Sequence, residues 1–202
     1  MATGDLPNAD PSTAILELFP RQGEWRDGDY FALPGNRMVE LVRGHVEVLA
    51  VPSMLHQFLA RLIFLSMNAF VENRSLGIVM SAPTKVRLDD RHYREPDVLF
   101  VASHHCHRKQ EQFWEAIDLA VEIISPDDPE RDLIDKRADY AAAGISEYWI
   151  VDPRDDSILV LGLVDGDYQQ LNPETRSESA ASVVLDGFQF DVRELFREAR
   201  AQ

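Results

Sequence analysis

The chain has 202 residues, 45% of them hydrophobic and 27% charged, ordinary values for a globular chain able to bury a core. No uninterrupted apolar run approaches the ~18 residues of a membrane span. The first ten residues lack the basic and apolar regions of a secretory leader, so the cytoplasm is the expected location. A single cysteine, Cys106, excludes an internal disulfide and a cysteine-based zinc site. The net charge of -15 argues against an ordinary nucleic-acid binder, because such proteins neutralise phosphates with Lys and Arg.

Residues 1–20 read as a flexible arm carrying a short helix at 14–19 with Thr13 as its cap, and residues 21–202 as one domain. Residues 20–36 read as loop, with turn signals at Asp27-Gly28 and Pro34-Gly35. Residues 37–42 and 45–51 alternate as two strands around Arg43-Gly44, a hairpin. Ser53 then caps a helix reaching about residue 73, whose Leu55, Phe58, Leu59, Leu62, Ile63 and Phe70 form a stripe at helical spacing. Residues 78–88 hold one or two strands, and 89–94 are polar and turn-like.

Residues 96–101 and 118–124 are short apolar runs that suit buried central strands. The polar segment between them, 103–111, contains His104, His105, Cys106 and His107; neighbouring loop side chains rarely chelate one ion together, so a solvated loop is favoured over a metal site. Ser125 reads as a helix cap, and Asp127, Asp128, Glu130 and Asp132 suit the positive end of the helix that follows to about residue 143. Gly144 serves as its left-handed terminus. A strand at 147–151, a hairpin of 157–164 with 168–171 around Asp165-Gly166, a polar loop at 172–180, a short strand at 183–185 and a helix at 192–199 complete the chain. Tyr148 and Trp149 read as core and interface aromatics.

Three residues carry the chemical reading. Glu122 lies inside an apolar strand, where Ala120, Glu122 and Ile124 share one face and Leu119, Val121 and Ile123 the other. A buried carboxylate is costly unless paired or metal-bound; the alternative is an edge strand with Glu122 in solvent. Asp97 opens the other apolar strand, and taken alone Pro96-Asp97 is a common turn pair. Two carboxylates converging from neighbouring strands make an oxygen-rich site suited to Mg²⁺ or Mn²⁺. Lys136 shares a helical stripe with Leu133 and Tyr140, which directs it toward the sheet; the alternative is a snorkelling surface lysine.

The run VEIISPDDPERDLIDKRADYAAAGISEYWIVDP, with EPDVLFV and VELVRGHVEVLAVPSMLH upstream, resembles the Uma2 family. The resemblance spans about residues 38–152 and is most specific from Glu122 to Pro153. It implies a restriction-endonuclease-like α/β (α+β) fold of the PD-(D/E)XK type: a mixed sheet flanked by helices, with an N-terminal hairpin and helix. It implies Asp97 and Glu122 as metal ligands and Mg²⁺ or Mn²⁺ as cofactor. The standard motif has a lysine two residues after the second acid; here that position is Ile124, and Lys136 is the matching helix-borne lysine. Glu40 matches the family's N-terminal acid as a further ligand or ligand-orienter. His56 matches the helix histidine, and its bland reading is a polar edge on an amphipathic helix. Arg43 departs from the pattern, which often has Asp before Gly44.

Metal-assisted hydrolysis of DNA phosphodiesters by Asp97, Glu122 and Lys136 is therefore expected. Two alternatives stand beside it: a catalytically silent binding or regulatory module of the same fold, favoured by the net charge, and an enzyme acting on a smaller phosphoester or nucleotide. A homodimer is expected from the fold and its aromatic residues.

Overall fold

The computed structural model describes residues 19–33, 38–171 and 178–202. The arm and helix expected within residues 1–18, and most of the loop at 172–180, lie outside them.

Twelve strands form three sheets among the described residues. The strands are β1 (Val39–Val42), β2 (His45–Val48), β3 (Gly77–Ser81), β4 (Val86–Asp89), β5 (His92–Arg94), β6 (Val98–Ala102), β7 (Leu119–Ile123), β8 (Glu147–Asp152), β9 (Ser157–Val164), β10 (Asp167–Gln170), β11 (Ser179–Ala181) and β12 (Gln189–Asp191). The large sheet has the order β10-β9-β8-β7-β6-β3, and a smaller one the order β2-β1-β5-β4. The large sheet is mixed: β7 and β8 are parallel and its other pairs antiparallel. A parallel pair needs a crossover, and the chain supplies it as a helix on one face.

Helices α1 (Asp27–Phe31), α2 (Met54–Arg74), α3 (Lys136–Ala142) and α4 (Val192–Arg200) flank these sheets. Ser53 caps α2 by accepting a 3.2 Å hydrogen bond from the His56 N–H. Leu59, Ile63, Met67 and Val71, spaced four apart, are fully buried with Leu119, Val121, Ile123 and α4. By length and composition α2 could cross a membrane, but its buried stripe packs on the sheet. The opposite face packs Leu99, Ala120, Ile124 and Ile150 against Tyr140 of α3. The alternation expected for β7 holds, so Glu122 lies on the α3 face.

Several local expectations are corrected. The 20–36 loop contains α1, whose Tyr30 packs with Trp25, Leu41 and Tyr93. The turn-like 89–94 segment contains β5, a buried strand whose charged residues find partners. Residues 183–185 form no strand; β11 and β12 flank them instead. Ser125 caps no helix: the helix begins later, at Pro129, and passes through a π-helical turn at Arg131–Asp135 into α3. Tyr148 and Trp149 are completely buried, so neither offers a dimer surface. Both glycine turns form as read, with positive φ at Arg43 and Gly44 and at Asp165 and Gly166.

Candidate active site

The two main sheets meet at Glu95-Pro96-Asp97, the link from β5 to β6. Asp97 stands at the start of β6, and the β6–β7 register pairs Val98 with Val121 and Leu99 with Ala120. Continuing that register sets Asp97 opposite Glu122. The Asp97 carboxylate accepts a 2.8 Å hydrogen bond from the Ile123 N–H, and His56 Nε2 lies 3.1 Å from the same oxygen. His56 is therefore turned toward Asp97 rather than forming a polar helix edge.

Glu122 is 2% exposed. Its Oε1 accepts from the Tyr140 hydroxyl at 2.5 Å, and its Oε2 lies 2.8 Å from Lys136 Nζ. Lys136 is 6% exposed, which removes the snorkelling alternative. Its ammonium also reaches Asp132 at 3.2 Å and Glu40 at 3.9 Å. Asp132 and Lys136 are one helical turn apart, and the π-helical widening before α3 turns both toward the sheet. Asp132 does not sit in solvent at a helix end, as dipole matching had suggested; it is 5% exposed and belongs to this cluster.

Glu40 and Glu47 face each other across the β1–β2 hairpin, an arrangement that like charges make unfavourable. Two arginines resolve it. Arg94 Nη1 lies 2.7 Å from Glu40 and 3.0 Å from Glu47, and Arg131 Nη2 lies 2.6 and 3.0 Å from the same pair. Arg94 also reaches Asp139 of α3 at 2.7 Å, where His92 and Arg43 converge at 3.1 and 2.7 Å. Arg43, the departure from the family pattern, thus ties the hairpin turn to α3. Through this network the small sheet and α3 hold Glu40 and Lys136 in place.

The charges respond to this crowding. Burial pushes the Glu122 carboxyl up; Lys136 opposes that, while Asp97, Asp132 and Glu40 add to it, and the outcome is about 8. Burial also pushes Glu40 up, but Lys136, Arg94 and Arg131 outweigh it and hold Glu40 down at about 2. Burial disfavours the Lys136 ammonium, yet Glu122 and Glu40 lead the neighbours that raise its pKa above the ordinary lysine range. Buried ionic clusters of this kind contribute little net stability, but removing one member is costly.

Beside the acids lies a cavity of about 590 Å³, lined by His56, Asp97, Ser125, Arg131, Asp132 and Lys136 on the floor and by apolar residues of β2 and α2 on the walls. The site's acidic donors are hard carboxylate oxygens, which suit Mg²⁺ or Mn²⁺. Among the described residues, no three His, Cys, Asp or Glu side chains are gathered closely enough to enclose an ion by themselves. Asp97 and Glu122 are the two acids that the strand register brings together.

Every sequence-selected site residue thus meets at one end of the large sheet: Asp97, Glu122 and Lys136 with Glu40 and His56. Sequence reasoning missed Asp132, Arg131, Arg94, Glu47 and Asp139. Period-two alternation in His92-Tyr93-Arg94 was the available signal for Arg94, since Tyr93 joins one core cluster and its neighbours turn to Asp139.

No curated protein sequence matches the chain. One similar solved structure is the crystal structure of an Anabaena variabilis protein described as "a putative nuclease belonging to DUF820". It is 16% identical, with a TM-score of 0.71 over 89% of this chain and 99% of that one. At that identity the likeness establishes the shared fold. The model of the Uma2 family, described as "Putative restriction endonuclease", matches residues 27–193, a span that contains every residue of the cluster, and the chain therefore belongs to the Uma2 family.

Proposed function

We propose that the chain is a divalent-metal-dependent nuclease that hydrolyses phosphodiester bonds in DNA, with Asp97 and Glu122 holding the cation and Lys136 facing the scissile phosphate. One observation carries the reading: a lysine ammonium 2.8 Å from a buried strand glutamate, with a second strand acid in register beside it and a cavity lined by that lysine and that second acid. A structural ion pair needs no adjoining cavity or second acid.

What a divalent cation supplies when bound is Lewis acidity at the phosphoryl oxygen and a lowered pKa for the attacking water. The remaining contributions belong to the chain. Tyr140 and Lys136 fix both oxygens of Glu122, and the Ile123 N–H with His56 fixes Asp97. Prepaid orientation of this kind lowers the barrier. The Lys136 ammonium, poised beside the cavity, stabilises negative charge developing on the phosphate. Water oxygen bonds to phosphorus, the P–O ester bond breaks, and the departing oxygen takes up a proton, with one water consumed.

The test is incubation of the full chain with plasmid and single-stranded DNA in Mg²⁺, Mn²⁺ or EDTA. Metal-dependent cleavage that disappears in Asp97→Ala and in Glu122→Ala supports the reading. Cleavage surviving in either variant refutes the assignment. The second reading, a silent binding module, is favoured by the net charge of -15 and predicts no cleavage with any metal.

A further inference from the structure

The lining of the cavity bears on which phosphodiesters can enter it. Its volume of about 590 Å³ falls in the roughly 300–1,000 Å³ range of sites that engulf small ligands. Three cations line it. Arg131 is held by Glu40 and Glu47, and Lys136 by Glu122 and Asp132. Arg61 makes no ion pair among the described residues. Five carboxylates line the same cavity. A duplex carries one negative charge per ~1.7 Å of axis and is gripped by a track of Lys and Arg; this cavity offers the reverse. Its walls are apolar instead: Met38, Val48 and Leu49 on the hairpin side, Ala60 and Phe64 on α2, and Pro83 after β3. Val48 is part of this lining and 78% exposed, so an apolar side chain stands at the rim. Apolar walls can receive the face of a base only when that base is unpaired and unstacked.

Resting on the hydrolase reading above, we propose that the substrate is a phosphodiester flanked by unpaired bases, a single-stranded segment or a dinucleotide. Its scissile phosphate sits at Asp97 and Lys136, a base lies in the pocket formed by Leu49, Phe64 and Pro83, and Arg61 meets a neighbouring phosphate. Few phosphates are neutralised, so the acidic surface is tolerated, and recognition comes from the apolar walls.

The test compares Mn²⁺-dependent hydrolysis by the full chain of a single-stranded oligonucleotide, the same sequence as a duplex, a dinucleotide, and an abasic strand of the same length, a phosphodiester that has no bases. The strand or the dinucleotide is expected to be cut at least about tenfold faster than the duplex, in line with the contribution of one base stacked on protein; which of the two is faster identifies the source. The log–log salt slope of kcat/KM on the strand is expected near about -1, against about -4 for a protein neutralising six phosphates. The rim variant Val48→Asp is expected to lower kcat/KM on the strand about tenfold more than on the abasic strand. A duplex cut as fast as the strand, a steep salt slope, or hydrolysis of the base-free diester alone overturns the inference and leaves the hydrolase reading standing. Absence of metal-dependent hydrolysis on all four substrates sinks both.

Discussion

Replacing Lys136 with Met tests the centre of the cluster. The substitution keeps most of the buried stem and removes an ammonium 2.8 Å from Glu122 and 3.2 Å from Asp132. Breaking a buried pair by deleting one partner costs about 3–5 kcal/mol, a large part of the roughly 5–15 kcal/mol by which domains are stable. The cost depends on pH, and its sign follows from Glu122. That carboxyl is already raised above its ordinary 4.5 by burial, with Lys136 the principal force holding it down. Without Lys136 it rises further. A raised folded-state carboxyl destabilises the protein as pH climbs above the unfolded value, because the unfolded chain ionises first. The deficit of Lys136→Met relative to the parent should thus be level below about pH 8, where Glu122 is protonated in both folded proteins, and deepen as pH rises above 8, where the parent's Glu122 ionises first. Urea unfolding at pH 6 and pH 9 measures it; for a chain of this length a loss of about 3–5 kcal/mol at pH 9 corresponds to roughly 10 °C in Tm. Adding Glu122→Gln should remove the deepening between pH 6 and pH 9. A deficit below about 1 kcal/mol that is unchanged between the two pH values would show that Lys136 behaves as an exposed lysine and that the ion cluster is misread.

Other consequences follow from the same geometry. Mn²⁺ binding near pH 7 should release protons, because the cation favours the ionised form of the raised Glu122 carboxyl; calorimetry in buffers of different ionisation enthalpy reads this, and Glu122→Gln should remove most of it. Glu40, held down at about 2 against an ordinary 4.5, contributes stability that is present above its unfolded pKa and lost as pH falls from 4.5 toward 2. Acid titration of Glu40→Gln by circular dichroism should show a shallower loss over that window. Gly44→Ala should cost more than about 1 kcal/mol in thermal or urea unfolding, since Gly44 has φ +83° and an added Cβ would come within 2.7 Å of the Gly23 carbonyl oxygen.

Local rules carried much of the fold because they act over short stretches of chain. Ser53 capped α2, the Arg43-Gly44 and Asp165-Gly166 turns closed their hairpins, and alternation told which face of β7 bears Glu122. Where local signals were weak or ambiguous, only tertiary context decided. The charges of His92 and Arg94 disguised β5 as a turn, since a charged strand is stable inside only when partners arrive from elsewhere, here Glu40, Glu47 and Asp139.

Glu122 and Glu147 make the same point. Both are buried acids in apolar strands, 2% and 0% exposed. Glu147 accepts hydrogen bonds from the Val183 and Val184 N–H groups and from the Trp149 indole, and so secures a loop. Glu122 meets Lys136 beside a cavity. The sequence alone determined that Asp97 opens one apolar, strand-like run, that Glu122 lies inside another and that Lys136 shares a helical stripe with Leu133 and Tyr140, because periodicity is a property of each segment; it left turn, edge-strand and snorkelling alternatives open. Their convergence, the inclusion of Asp132, and the two arginines that reconcile Glu40 with Glu47 were decided by the tertiary structure alone, because the electrostatics of a buried charge depends on groups brought near it by distant parts of the chain.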